Sequence, residues 1–160
     1  MADTKRIKRI AVGVDGSKHS EAALEWTIDL ATATASVVIA VHATDLPSIK
    51  ADASGIPVQF HDGWRKTIRE QFENVWCKPL RRSGVSYRAV MKNGRPATAI
   101  SAVADGYGAD IIVVGRRGRG VVTQLLLGSV SYELVLRSKV PVMVVGPRAV
   151  GRRTSTRRAR

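Results

Sequence analysis

The sequence predicts one doubly wound α/β domain, a five-stranded parallel sheet with helices on both faces. Three observations predict it. Short apolar runs recur along the chain at Ile10–Val14, Val37–Val41, Val85–Met91, Ile111–Val114 and Pro141–Val145. The segments between them space their apolar residues as helices do. The runs read as apolar on both faces, which suits strands covered by helices above and below. With 160 residues the chain is long enough for one such domain and its core.

Each element has a local reason. After Ile10–Val14, Asp15-Gly16-Ser17 breaks the strand, and Ser20 is a candidate helix cap with Glu21 in the first turn. Leu24, Ile28 and Ala31 then form one helical face, widened by Trp26 and Leu30. Beyond His42 a stretch reaching to Gly63, with Pro47, Gly55 and Pro57, has no clear period and reads as a functional loop. Trp64, Ile68, Phe72 and Val75 predict an amphipathic helix that ends near Pro79 and Gly84, with Trp64 and Phe72 as core residues. Asn93-Gly94 marks a turn, and Pro96 suits the first position of a helix lined by Ile100, Val103 and Ala104. Gly106 and Gly108 stop it. A last helix turns Val130, Leu134 and Val135 inward before the fifth strand.

Composition removes several classes of function. No apolar run approaches the roughly 20 residues of a membrane span, and Lys5, Arg6, Lys8 and Arg9 precede too short an apolar run for a signal peptide. The single cysteine, Cys77, fits a reducing compartment and reads as a buried apolar residue. A cytoplasmic domain without membrane contact is expected. The net charge of +13 sits mainly at the ends, because residues 10–147 hold 16 basic and 12 acidic residues, a net +4. The expected layout is a flexible basic stretch at 1–6, the folded domain at 7–147 and a disordered Arg-rich tail at 148–160. Such a tail could attach weakly to nucleic acid through phosphate contacts, but it lacks interleaved aromatics.

The richest stretch is Asp110–Ser129, DIIVVGRRGRGVVTQLLLGS. A buried strand runs into a loop with Gly115, Gly118 and Gly120 and with Arg116, Arg117 and Arg119 between them, then reaches Gly128-Ser129 before a helix. Glycines let backbone amides approach an anion, and a helix start adds a positive dipole end. The dinucleotide fingerprint fails, since Gly13-Val-Asp-Gly16 does not supply GxGxxG after the first strand. A P-loop fails at Val121-Val122, where Lys and Ser or Thr are required. His19, His42 and His61 have no metal-ligand spacing with Cys77 or the carboxylates, and no GxSxG nucleophile elbow is present.

What remains is Gly115-x2-Gly118-x9-Gly128-Ser129, with Asp15 after the first strand. This pattern resembles the nucleotide-binding branch of the universal stress protein family, whose motif is G-x2-G-x9-G-(S/T), over about residues 7 to 147. The resemblance implies a Rossmann-like fold of the adenine nucleotide alpha hydrolase type, ATP or a related adenine nucleotide as ligand, and a regulatory switch in the stress response. Cyclic AMP and AMP stay open as ligands. It places the phosphates against Gly115, Gly118, Gly128, Ser129 and the following Val130, with Arg117 as the nearest cation and Arg116 and Arg119 solvated. Asp15 would meet ribose hydroxyls or a Mg²⁺ ion. Adenine would be held by backbone groups at Val41 and His42, under a lid formed by the loop that follows. A homodimer through an exposed last strand, Val142–Val145, is also implied. The sequence offers no residue to orient a hydrolytic water, so ATP hydrolysis is expected to be slow if it occurs. The competing expectation is a nucleotide-independent interaction module, in which the same glycines only shape a turn.

Overall fold

A computed structural model describes residues 6–44, 60–119 and 127–147. The expected lid between His42 and Gly63 lies largely outside the described residues, as do Gly120 and the Arg-rich tail at 148–160. Five strands form one sheet: β1 (Arg9–Gly13), β2 (Val37–Thr44), β3 (Tyr87–Asn93), β4 (Ile111–Gly115) and β5 (Val142–Val145). All neighbours pair in parallel, in the order β3-β2-β1-β4-β5. The chain therefore winds one way from β1 to β3 and the other way from β4 to β5. The reversal between β1 and β4 opens a crevice at the carboxyl ends of those strands, where ligands of such sheets bind.

Strand alternation divides the core into two layers. Ile10, Val12, Val38, Ala40 and Val113 face one side and pack with Leu24 of α1 (Lys18–Thr34), Phe72, and Leu80 of α3 (Lys78–Ser83). Ala11, Ile39, Val41, Ile112 and Val114 face the other, against Ile100 and Val103 of α4 (Pro96–Tyr107) and Leu134 of α5 (Ser129–Arg137). Doubly wound architecture is thus as expected, with two exceptions at β3. It starts at Tyr87 rather than Val85, and it is an edge strand with Arg88, Ala89, Lys92 and Asn93 exposed. Charged residues on an edge discourage pairing with another chain.

Several local expectations are corrected. Helix α1 is capped by Ser17, whose Oγ accepts from the Ser20 amide at 3.2 Å, because Gly16 at φ +78° ends the turn there. Ser20 is instead buried, and His19 lies in the first turn of the helix. Trp26 is 44% exposed; the inward positions of α1 are small or already filled by Ala23, Leu24, Thr27 and Ala31. Thr27 can be buried because its hydroxyl donates to the Ala23 carbonyl at 2.8 Å.

The second helical segment departs furthest. Helix α2 (Phe60–Gln71) gives way to a π-helical turn, Phe72–Trp76, and then to α3. The wider turn is closed by the Cys77 amide donating to the Phe72 carbonyl at 2.9 Å. It breaks the i, i+4 stripe after Phe72. Phe72 and Cys77 are buried, Val75 is 60% exposed and Trp76 turns toward the sheet, while Trp64 stays 45% exposed and outside the core. Arg81 Nη1 and Nη2 donate to the Glu73 and Asn74 carbonyls, both at 3.1 Å. Pro79 opens α3 rather than ending a helix, and Gly84 caps it at φ +74°. Likewise α4 runs through Gly106 and is capped by Gly108 at φ +60°.

In α5 Ser131 and Leu134 are buried and Val130 packs half-buried against the same core, whereas Val135 is 54% exposed. The serine is tolerated because its hydroxyl bonds the Arg116 carbonyl at 3.1 Å and the Gly128 carbonyl at 3.0 Å. The N-cap is Gly128, and Ser129 is the first helical residue.

Candidate functional site

A cavity of about 300 Å³ lies at the carboxyl ends of β1, β2 and β4, at the low end of the usual size for ligand pockets. All of the site residues expected from the sequence line it. Asp15 comes from the loop after β1, Val41 and His42 from β2, Gly115, Arg117 and Gly118 from the end of β4 and its loop, and Gly128, Ser129 and Val130 from the start of α5. Sequence reading missed Ala43, Pro96 and Ile100 on the same wall. Ala43 was missed because β2 runs to Thr44, beyond the expected end at Val41. Its register with β1 stops at Gly13–Val41, while His42, Ala43 and Thr44 continue to pair with β3. The end of β2 thus projects past β1 along the cavity.

The glycines differ in why they are glycines. A Cβ on Gly115 would fall 2.5 Å from the backbone carbon of His19, so β4 meets α1 too closely for a side chain. On Gly128 it would meet the Arg117 Cα at 3.1 Å and the Arg116 carbonyl oxygen at 3.2 Å, and the Gly128 amide donates to that oxygen at 2.8 Å. On Gly118 it would meet only the Asp15 Oδ2, at 2.9 Å. Gly115 is therefore explained first by packing, whereas Gly118 faces the cavity carboxylate.

Asp15 is held from several sides. Its Oδ1 accepts from the Ser17 amide at 2.9 Å, and its own amide donates to Ser20 Oγ at 3.3 Å. Burial alone pushes the carboxyl up, but the Ser17 hydroxyl and amide, the Ser20 hydroxyl and the Arg119 charge outweigh it. The group is held below its ordinary value of 3.8 and stands ionised at neutral pH.

His42 packs between two rings, with centroids 5.6 Å from Phe72 and 5.0 Å from Trp76. Its Nδ1 lies 2.7 Å from the Val14 carbonyl oxygen, which can only accept, so Nδ1 carries the proton. Burial pushes the imidazole down from 6.5 and Arg119 adds to this, while the Val14 hydrogen bond and Asp15 oppose it. A depressed folded value means that His42 contributes stability fully above about pH 6.5, and that this is lost as pH falls below it. We predict that the stability of His42→Asn, measured by urea unfolding between about pH 7.5 and 5, falls less on acidification than that of the parent chain. Equal slopes would show that His42 is not held neutral.

The arginines also differ from expectation. Arg119 is not merely solvated: its guanidinium carbon lies 4.6 Å from the centroid of the Trp76 ring. Arg116 is half-buried, with its Nε shielded from solvent and without a hydrogen-bond partner among the described residues. The Cys77 thiol is pushed up to about 12, mainly by burial, and is an inert core group. No group of three or more His, Cys, Asp or Glu side chains is placed to hold a metal among the described residues. None of the described helices is long and apolar enough to cross a membrane.

A crevice at the strand reversal, walled by a glycine loop and a helix start and facing one ionised carboxylate, belongs to a doubly wound α/β domain. Residues 6–146 match the universal stress protein family, and the chain belongs to that family. The universal stress protein in the QAH/OAS sulfhydrylase 3′ region of Thermus aquaticus is 35% identical over 140 residues, covering 86% of this chain and 98% of that protein. Among solved structures, MJ0577 of Methanocaldococcus jannaschii superposes with a TM-score of 0.76 at 28% identity, covering 91% of this chain and 99% of the other. Two others share the fold at lower identity. One is a universal stress protein in complex with cAMP (TM-score 0.61, 24% identical, covering 89% and 99%). The other is an Arabidopsis thaliana family protein with AMP bound (TM-score 0.61, 22% identical, covering 89% and 93%).

Proposed function

We propose that this chain binds an adenine nucleotide in the crevice, ATP with Mg²⁺ foremost, and acts as a nucleotide-dependent switch in the stress response. One observation carries the reading. Asp15, Gly118 and Gly128-Ser129, far apart in the chain, converge on one cavity at the strand reversal. The family members in complex with cAMP and with AMP support the ligand class. In this reading the phosphates lie against the amides of Gly118, Ser129 and Val130, at the positive end of α5. The base lies against the projecting end of β2 at Val41–Ala43.

Asp15 is suited to a metal that arrives with its nucleotide. Mg²⁺ is commonly bound by one or two carboxylates together with substrate phosphates, and not by an all-protein cage. Turnover is expected to be slow, since Asp15 and His42, the ionisable acid and imidazole on the cavity wall, are both already tied to backbone groups. The experiment is mass spectrometry of the small molecules released by heating purified protein, with thermal shift on added ATP. Adenine nucleotide with a stabilising shift supports the reading.

The packing roles of Gly115 and Gly128 favour a second reading, a nucleotide-independent interaction module, since both glycines are needed without any ligand. No released nucleotide and no thermal shift would establish it. In either case we propose a homodimer through β5, which among the described residues pairs only with β4 and presents half-buried Val142, Met143 and Val144. A two-fold mate would cover that edge. Light scattering should give twice the chain mass, and a monomer at micromolar concentration would overturn the proposal.

A further inference from the structure

Three segments meet on one guanidinium at the cavity mouth. Arg119 leaves the loop after β4 and lies over the Trp76 ring of the π-helical turn. Both crowd the loop after β1: a Cβ on Gly16 would fall 2.5 Å from Trp76 Cε2 and 2.9 Å from Arg119 Nη2. Trp76 is itself braced from behind. Its ring meets His42 edge-on at 5.0 Å, and His42 is fixed to the Val14 carbonyl and backed by Phe72. The turn that points Trp76 here is held by Arg81 on two of its carbonyls. A π-helical turn inside an otherwise α-helical segment is frequent at functional sites. Here it sets an indole face where a regular helix would not.

The cavity also contains a charge problem. Asp15 stands ionised with Oδ2 directed at Gly118, on the cavity wall. Where no metal lies on Asp15, an anion bound there is repelled, and the repulsion grows with each phosphate the ligand carries. A positive group fixed on the same side offsets this most for the most highly charged ligands. Arg119 is such a group, and its place depends on a ring from a different part of the chain.

We propose that Trp76 is a positioning residue that holds Arg119 at the cavity mouth, and that the pair makes the site prefer nucleoside triphosphates over nucleoside monophosphates. The inference rests on the nucleotide reading above and specifies which ligand that site selects. Arg119 acts on the ligand by charge; Trp76 acts through Arg119. The two substitutions must therefore have the same effect, and combining them must add little.

The test is isothermal titration of the full chain with ATP and with AMP, both with Mg²⁺, at low ionic strength because Arg119 is exposed and salt screens it. Arg119→Gln changes an exposed side chain and spares the fold. Trp76→Leu removes the ring, and Trp76→Phe retains an aromatic face as the conservative rescue. Arg119→Gln and Trp76→Leu should each weaken ATP about tenfold, the weight of one charge-assisted contact, while AMP changes by less than about twofold. The double variant should be no weaker than either single one, and Trp76→Phe should keep most of the ATP affinity. Equal losses for ATP and AMP would mean that Trp76 touches the base or merely supports the fold, and would overturn the proposal. So would an Arg119→Gln chain that keeps its full preference. If the parent chain binds neither nucleotide, the nucleotide reading itself fails, a result distinct from binding without selectivity.

Discussion

Gly118→Asp and Gly128→Asp should each lower the affinity for ATP by at least about a hundredfold. At Gly118 the new side chain starts 2.9 Å from Asp15 Oδ2, so a second carboxylate is placed beside one already held ionised. Two like charges about 4 Å apart near a protein surface repel by roughly 4 kcal/mol, and an arriving phosphate would meet both. At Gly128 the side chain starts 3.1 Å from the Arg117 Cα and 3.2 Å from the Arg116 carbonyl oxygen. The loop must move, which endangers the amide bond from Gly128 to Arg116. Isothermal titration reads both variants, with circular dichroism to confirm folding. Unchanged ATP affinity in both would place the ligand elsewhere or remove it.

Gly115→Ala should be the most destabilising single methyl in the site. The added carbon falls 2.5 Å from the backbone carbon of His19 and 2.6 Å from its carbonyl oxygen, neither of which can rotate away. Either α1 or β4 must shift, and both carry fully buried residues, Leu24 and Val113 among them. Overpacking of a core costs about 1–3 kcal/mol, and a backbone clash belongs at the upper end or beyond. Gly118→Ala is the control. Its clash is with the end of the Asp15 side chain, so urea unfolding should show a loss well under 1 kcal/mol, within the usual range for surface changes. Similar losses in the two variants would mean that Gly115 has no special packing role.

Much of this was legible in the sequence. The inner strands could be read because they are short and apolar, and covering on both faces leaves little other choice; β3, with Arg88 and Lys92 exposed at an edge, gave a weaker signal and its start was misplaced. The cavity residues could be read because their signals are local: an aspartate after a strand, glycines after another, a glycine and serine before a helix. What escaped depends on contacts between distant segments. The π-helical turn has no periodic signature of its own; Phe72 fits an ordinary stripe, and only the packing of Phe72 and Cys77 shows where the stripe breaks. Arg119 looks like any surface cation until Trp76 is found beneath it. Ser20 satisfies the cap preference on paper, and only the turn at Gly16 moves the cap to Ser17. The packing role of Gly115 was hidden for the same reason, since nothing near it in the chain reveals that α1 presses on it.

On the reading proposed above, an adenine nucleotide occupies the crevice between β1 and β4. Amide chemical-shift mapping by NMR on adding ATP with Mg²⁺ tests it most directly. The largest changes should fall on three separate segments at once: Val41–Ala43, Gly115–Gly118 and Gly128–Val130. Absence of saturable changes there, or changes confined to other parts of the surface, would contradict it.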